Sequence, residues 1–179
     1  MNNILTTLLR SHTTEESTWR GIYDQYLPLV FHYMCYKVGN IQLAEDLTAI
    51  TFEKAWKSKH RFRKSKGTVQ SWLFGIARHV VADHFRKPFR EESLDSLINA
   101  GSDFSTVEDK VQRSQDFEAV SKIIQTFKKR DQEIIALKYG AELTNREIAR
   151  LTGLSETNIG TILHRSVTKI RTELRGKNE

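Results

Sequence analysis

Few residues in this chain are arranged to break or make a covalent bond. His79, Asp83 and His84 fall at helical spacing, so His79 and Asp83 could share one face with a metal ion. No HExxH motif and no second carboxylate cluster accompanies them, and their neighbours are basic. No Ser–His–Asp set, glycine-rich phosphate loop or paired-carboxylate site is recognisable. A catalyst, a metal site, a cofactor and a small-molecule substrate are therefore not expected. The chemistry that the residue types do favour is contact with nucleic acid. In "NREIARLTGLSETNIGTILHRS" (145–166), Glu156, Thr157, Gly160, Thr161 and His164 lie on one outward face with Arg165 beside them. Thr and His can donate to phosphate or base, and Arg165 can hold a phosphate or a guanine.

Two helices and a sharp corner must present those groups. Over 145–152, Ile148 and Leu151 take one side, and Arg146, Glu147 and Arg150 take the other. Gly153 stands where helices commonly end in the left-handed conformation that glycine adopts without steric cost. Ser155 is placed to cap the next helix, whose buried side carries Ile159, Leu163, Val167, Ile170 and Leu174. Ala149 is small where two helices joined by a short turn cross closely. This is the helix-turn-helix pattern, whose second helix enters the major groove N-terminus first. Gly160 costs that helix about 1 kcal/mol relative to alanine; on an outward face the cost has a use if the backbone must approach DNA closely. An ordinary helical hairpin is the bland alternative, and the whole pattern in register on a basic chain argues against it.

Charge is unevenly distributed over the 179 residues. The net charge is +6, yet residues 54–90 carry eleven basic side chains against Asp83 alone. Residues 91–118 carry eight acidic and two basic ones, and residues 119–179 return to twelve basic and seven acidic. Two basic blocks around an acidic one suggest two nucleic-acid surfaces joined by a segment that avoids DNA. The acidic segment is rich in Ser, Asp, Asn and Gly, so 88–112 is expected to be a linker beginning at Pro88. A single cysteine, Cys35, excludes a disulfide framework and sits in an apolar run as a core thiol. No stretch nears the roughly 20 apolar residues that span a bilayer, and the N-terminus lacks a signal layout, so a cytoplasmic protein is expected.

Glycine and proline are scarce and strand alternation is absent, so the fold class is all-α. Helices are expected over 18–38, 41–57 and 68–86, with a break or kink at Pro28. In the second, Ala44, Leu47, Thr51, Phe52, Ala55 and Trp56 make the buried stripe, leaving Glu45, Asp46, Glu53 and Lys54 outward. Before the third comes "HRFRKSKGTVQ" (60–70), a basic loop with aromatic neighbours of the kind that holds phosphates and stacks unpaired bases. Trp56 and Trp72 are expected in the core, with Phe74 left open between core and stacking platform.

Taken together, "AEDLTAITFEKAW" (44–56), "SWLFGIARHVVADHFRK" (71–87), the acidic linker and residues 130–174 resemble the bacterial sigma factors of the extracytoplasmic-function group, group 4 of the sigma-70 family. The resemblance covers about 18–175 and implies two small helical domains, region 2 at 18–87 and region 4 at 113–175. It implies a subunit that binds core RNA polymerase and directs promoter recognition and transcription initiation, with promoter DNA and an anti-sigma factor as further partners. Asp46 and Glu53 would meet the clamp coiled coil of the polymerase β′ subunit. Arg63, Lys66, Gln70, Ser71, Arg78, His79 and Arg86 would recognise and open the −10 element. Ser155, Glu156, Thr157, Asn158, Thr161, His164 and Arg165 would read the −35 element, and that domain would also touch the β flap. Five positions depart from the family pattern: Ala49–Ile50 replace a Gln-Glu pair, His79 replaces asparagine, and Gly160 and Ile162 replace basic residues. The rival readings are a one-component helix-turn-helix regulator and a recombinase or nuclease. The first leaves the "AEDL" helix and basic loop unexplained; the second lacks its nucleophile.

Overall fold

The computed structural model describes residues 3–86 and 119–176, with the backbone alone for 3–17 and Lys66. The expected linker, 88–112, lies outside the described residues. Helix α1 (Asn3–Val38) begins well before the expected start and runs through Pro28. Proline inside a helix costs about 3 kcal/mol, but Val30, Tyr33 and Met34 in the following turn are fully buried, and their burial holds the helix together. Gly39, at φ 68°, ends α1 by donating its N–H to Cys35 O at 2.9 Å. Asn40 then caps α2 (Ile41–Ser58), its side chain accepting from Leu43 N at 2.9 Å.

Helix α2 buries Ala44, Leu47, Thr48, Thr51, Phe52 and Ala55 at three- and four-residue spacing. Its two buried hydroxyls donate back to Ala44 O and Leu47 O, both at 2.7 Å, so neither carries an unmet hydrogen bond. After two short 3-10 turns comes α3 (Val69–Arg86), burying Leu73, Phe74, Ala77, Val80 and Val81. Phe74 belongs to the core, its ring edge-on to Tyr33 at 5.5 Å. Helices α1, α2 and α3 form the first unit.

The second unit holds α4 (119–125), α5 (Lys129–Ile135), α6 (Asn145–Thr152) and α7 (Glu156–Arg175). Gln132, fully buried, sets the α4–α5 corner: its amide nitrogen donates to the carbonyls of Ile124, Gln125 and Phe127, each at 3.1 Å. Its two amide hydrogens are shared among these carbonyls at the end of α4 and the turn after it, and Ile124 O accepts from Phe127 N as well, at 3.0 Å. Helix α5 continues into a π turn (Ala136–Gly140) that lies on α1. A Cβ on Gly140 would stand 2.7 Å from both Tyr33 N and Tyr33 Cα, so only glycine allows this approach. The described residues share one apolar cluster, from Val30, Phe52 and Leu73 through Leu137 and Leu143 to Ile159 and Leu163. The two units thus pack as neighbours around a common core.

Candidate nucleic-acid and polymerase surfaces

The helix-turn-helix forms as its sequence dictates. Thr144 and Glu147 make a reciprocal capping box at the start of α6: Thr144 N donates to Glu147 Oε2 at 2.9 Å, and Glu147 N to Thr144 Oγ1 at 3.3 Å. Glu147 is therefore a structural residue and no member of an outward charged face; the Thr-x-x-Glu spacing carries that signal. Gly153 adopts φ 75° and donates its N–H to Ala149 O at 2.8 Å, and Ser155 accepts from Asn158 N at 3.2 Å to start α7.

On α7, Ser155, Glu156, Thr157, Thr161, His164 and Arg165 are exposed, and Asn158 and Gly160 are half-buried. Ile159, Ile162, Leu163 and Ser166 form the inward side. Ile162 is 1% exposed, so a basic side chain could not point outward from that position of this helix. Gly160 faces the start of α6, where Asn145 Oδ1 is buried without a hydrogen-bond partner among the described residues.

Around the loop and α3, the −10 candidates divide into two sets. Arg63, His79 and Arg86 are exposed. The His79 Nδ1 lies 2.7 Å from Gly75 O; a carbonyl only accepts, so Nδ1 carries the proton and Nε2 is left for an outside partner. Ser71 belongs to the helix start, where its N–H donates to Thr68 Oγ1 at 3.1 Å. Arg86 and Lys54 both pair with Asp83, at 2.9 and 3.3 Å. Lys66 ends the 3-10 turn Lys64–Lys66. Phe62 packs on Trp72 at 5.5 Å beside an open cleft lined by Tyr26, Lys64, Thr68 and Arg150.

Gln70 and Arg78 are half-buried and bonded to the second unit. Gln70 Nε2 donates to Ala141 O at 2.8 Å. Arg78 Nε pairs with Glu133 at 2.9 Å, and its Nη1 donates to Leu151 O. Lys37 and Tyr33 reach the same Glu133 carboxylate, at 2.7 and 3.1 Å. Burial, with the Glu133 charge and hydrogen bond added, pushes the Tyr33 phenol well above its ordinary value.

The outward face of α2 carries Glu45, Asp46, Ala49, Ile50, Glu53 and Lys54, all exposed. Glu53 is paired with Lys57, and that ammonium holds its carboxyl below the ordinary carboxylate value. Trp56 differs from expectation: it is 39% exposed, at the margin of a stripe already filled by Phe52 and Ala55. It packs edge-on against Trp19 at 5.3 Å, with Lys59 Nζ 3.7 Å over its ring.

Helical units of this order, one with an acidic α2 face and a basic loop and one ending in a helix-turn-helix, define a two-region transcription protein. Residues 22–90 match the family model of sigma-70 region 2, and residues 117–170 match that of sigma-70 region 4. The chain belongs to the sigma-70 family and, within it, to the extracytoplasmic-function group. It is 32% identical over 160 residues to the ECF RNA polymerase sigma factor BldN of Streptomyces coelicolor, covering 88% of this chain and 61% of that relative. With the ECF RNA polymerase sigma factor SigM of Bacillus subtilis it shares 29% over 152 residues, covering 84% of this chain and 91% of the other. The sigma factor RpoE of Bartonella quintana, solved in complex with the anti-sigma factor NepR, has the same fold at TM-score 0.66 and 19% identity, covering 88% of this chain and 97% of RpoE. No helix among the described residues is long and apolar enough to cross a membrane.

Proposed function

We propose that the chain binds core RNA polymerase and directs it to promoters, a regulatory role with no catalysis of its own. The observation that carries this reading is the order of two sigma-70 regions in one chain, each presenting an exposed polar face of its own. Asp46, with Glu53 beside it, faces the polymerase clamp; Ile50 adds an apolar contact where the family has a polar pair. The basic loop and α3, with Arg63, Lys66, Gln70, Ser71, Arg78, His79 and Arg86, take the −10 element and its opened strand. The N-terminal half of α7 reads the −35 element through Thr157, Asn158, Thr161, His164 and Arg165, with Ser155 and Glu156 at its cap. The domains run over 18–87 and 113–175, joined by the acidic segment 88–112. The protein works in the cytoplasm beside polymerase and is held in check by an anti-sigma factor, as the RpoE relative's complex suggests for this fold.

The test is Asp46→Arg. The side chain is exposed on α2, so helical content should stay unchanged while affinity for core polymerase falls. Reversing one partner of a charged interface contact costs about 2–5 kcal/mol, a loss of more than tenfold in a pull-down titration. Unchanged affinity removes α2 from the interface.

A further inference from the structure

The open cleft beside Phe62 has a chemistry of its own. It lies between the loop before α3, the middle of α1 and the end of α6, and measures about 730 Å3. Small-ligand sites run over about 300–1,000 Å3. Tyr26 and Phe62, each half-buried, give the cleft aromatic walls, and Trp72 backs Phe62 at 5.5 Å. Lys64 and Arg150, both exposed, bring in two cations from different units. Ser65 and Thr68 add hydroxyls at the loop edge, and no acidic side chain lines the cleft among the described residues.

Two like charges brought to one concavity repel each other, and its walls focus their field into the space between them. Neither Lys64 nor Arg150 forms an ion pair with another described residue. By contrast, Lys37 and Arg78 share Glu133, and Lys54 and Arg86 share Asp83. The cleft therefore calls for an anion. Arg150 offers a phosphate its planar guanidinium fork, and Lys64 offers a point charge. The aromatic walls call for a flat ring, and every nucleobase has a π-face that stacks on such side chains.

The geometry points to a binding site for a free nucleoside polyphosphate, with its base against Tyr26 and Phe62 and its phosphates on Lys64 and Arg150. A terminal phosphate carries about −1.5 to −2 at neutral pH, so a polyphosphate has charge enough for both cations. A phosphodiester within a strand carries a single charge and satisfies only one of them. Lys64 and Arg150 belong to different units, so the bound nucleotide ties the loop to α6. It stabilises the chain increasingly as its concentration rises. The inference goes beyond the promoter reading and does not rest on the roles of α3 or α7.

Calorimetric titration of the full chain with ATP, in buffer without magnesium, tests the site. One ATP should bind per chain, and Tm should rise with ATP concentration. Lys64→Ala and Arg150→Ala, both at exposed positions, should keep the fold and each weaken ATP binding about tenfold. Phe62→Leu should weaken ATP about tenfold and leave pyrophosphate unchanged, since pyrophosphate has no base to stack. Tyr26→Leu takes its place if Phe62→Leu fails to melt cooperatively. A short mixed-sequence single-stranded DNA should bind with an affinity that Arg150→Ala leaves unchanged. Absence of ATP binding overturns the site. So does ATP binding that both alanine variants leave intact, which is diffuse attraction to a basic surface. DNA affinity that falls with Arg150→Ala as ATP affinity does gives the cleft to a strand, and that too overturns the assignment.

Discussion

Gly160→Ala separates what the fold asks of α7 from what DNA asks of it. The position is interior to a 20-residue helix, where glycine costs about 1 kcal/mol relative to alanine. Its backbone is not in the left-handed region, unlike Gly39, Gly67 and Gly153. An added Cβ would first meet Asn145 Nδ2 at 3.9 Å, an ordinary van der Waals contact. Neither conformation nor packing against α6 requires glycine here. Alanine should therefore stabilise the protein by about 0.5–1 kcal/mol, raising Tm by about 1–4 °C for a chain of this size. If α7 approaches a phosphate or the groove floor at this point, the same methyl group should weaken binding to −35 element DNA. Circular dichroism melts and a binding titration of one preparation would give the two effects, expected with opposite signs. A lower Tm refutes the packing argument. A higher Tm with undiminished DNA affinity refutes the close approach and leaves Gly160 without a role.

Three further outcomes test the fold that positions these surfaces. Gln132→Leu should cost about 2 kcal/mol, because the Gln125 and Phe127 carbonyls at the α4–α5 corner lose this donor; urea unfolding measures it, and a change within error refutes the corner's dependence on that amide. Thr144→Ala should cost about 1 kcal/mol through the lost cap of α6, read from the same unfolding curves. Stability should also fall as pH rises past about 9. Burial pushes the Cys35 thiol up from 9.0 to about 12 and the Tyr33 phenol well above 10.0. Between its unfolded and folded pKa each group keeps its proton only when folded, so each removes about 1.4 kcal/mol of stability per pH unit there. Unfolding midpoints between pH 8 and 11 that stay level would contradict the burial of both groups (the pH range is about that of the two unfolded pKa values and above).

What could be read from the sequence was what is decided locally. The α2 and α3 boundaries follow from apolar spacing and lie within a residue of expectation. The helix-turn-helix was legible because Gly153 and Ser155 each do a job set by the backbone beside them. Trp56 was misplaced because helical phase alone does not say when a stripe is full. Phe52 and Ala55 occupy the inner positions, and Trp56 packs at the edge with Trp19. The start of α1 is less legible, since the short apolar period of Ile4, Leu5, Leu8 and Leu9 is cut off from Trp19 by the polar run 10–17. The contact between the two units was beyond local reading altogether. Tyr33 and Glu133 stand 100 residues apart, and in one sequence Lys37 and Glu133 look like ordinary surface charges. Gly140 likewise gives no hint of the backbone it will meet.

Run-off transcription with core RNA polymerase tests the central claim most directly. The templates are promoters of transcripts that rise when the chain is overproduced, and a DNA-binding titration without polymerase runs beside it. Contacts by the isolated protein should be mostly to phosphate, hence weak and steeply reduced by salt. Polymerase should fix both regions on one promoter, so that the second contact forms at high effective concentration. The account predicts weak, salt-sensitive binding alone and a transcript of defined start only when chain and core are combined. Tight, specific binding by the isolated chain, with no transcript when core is supplied, would contradict it and make the protein an ordinary DNA-binding regulator.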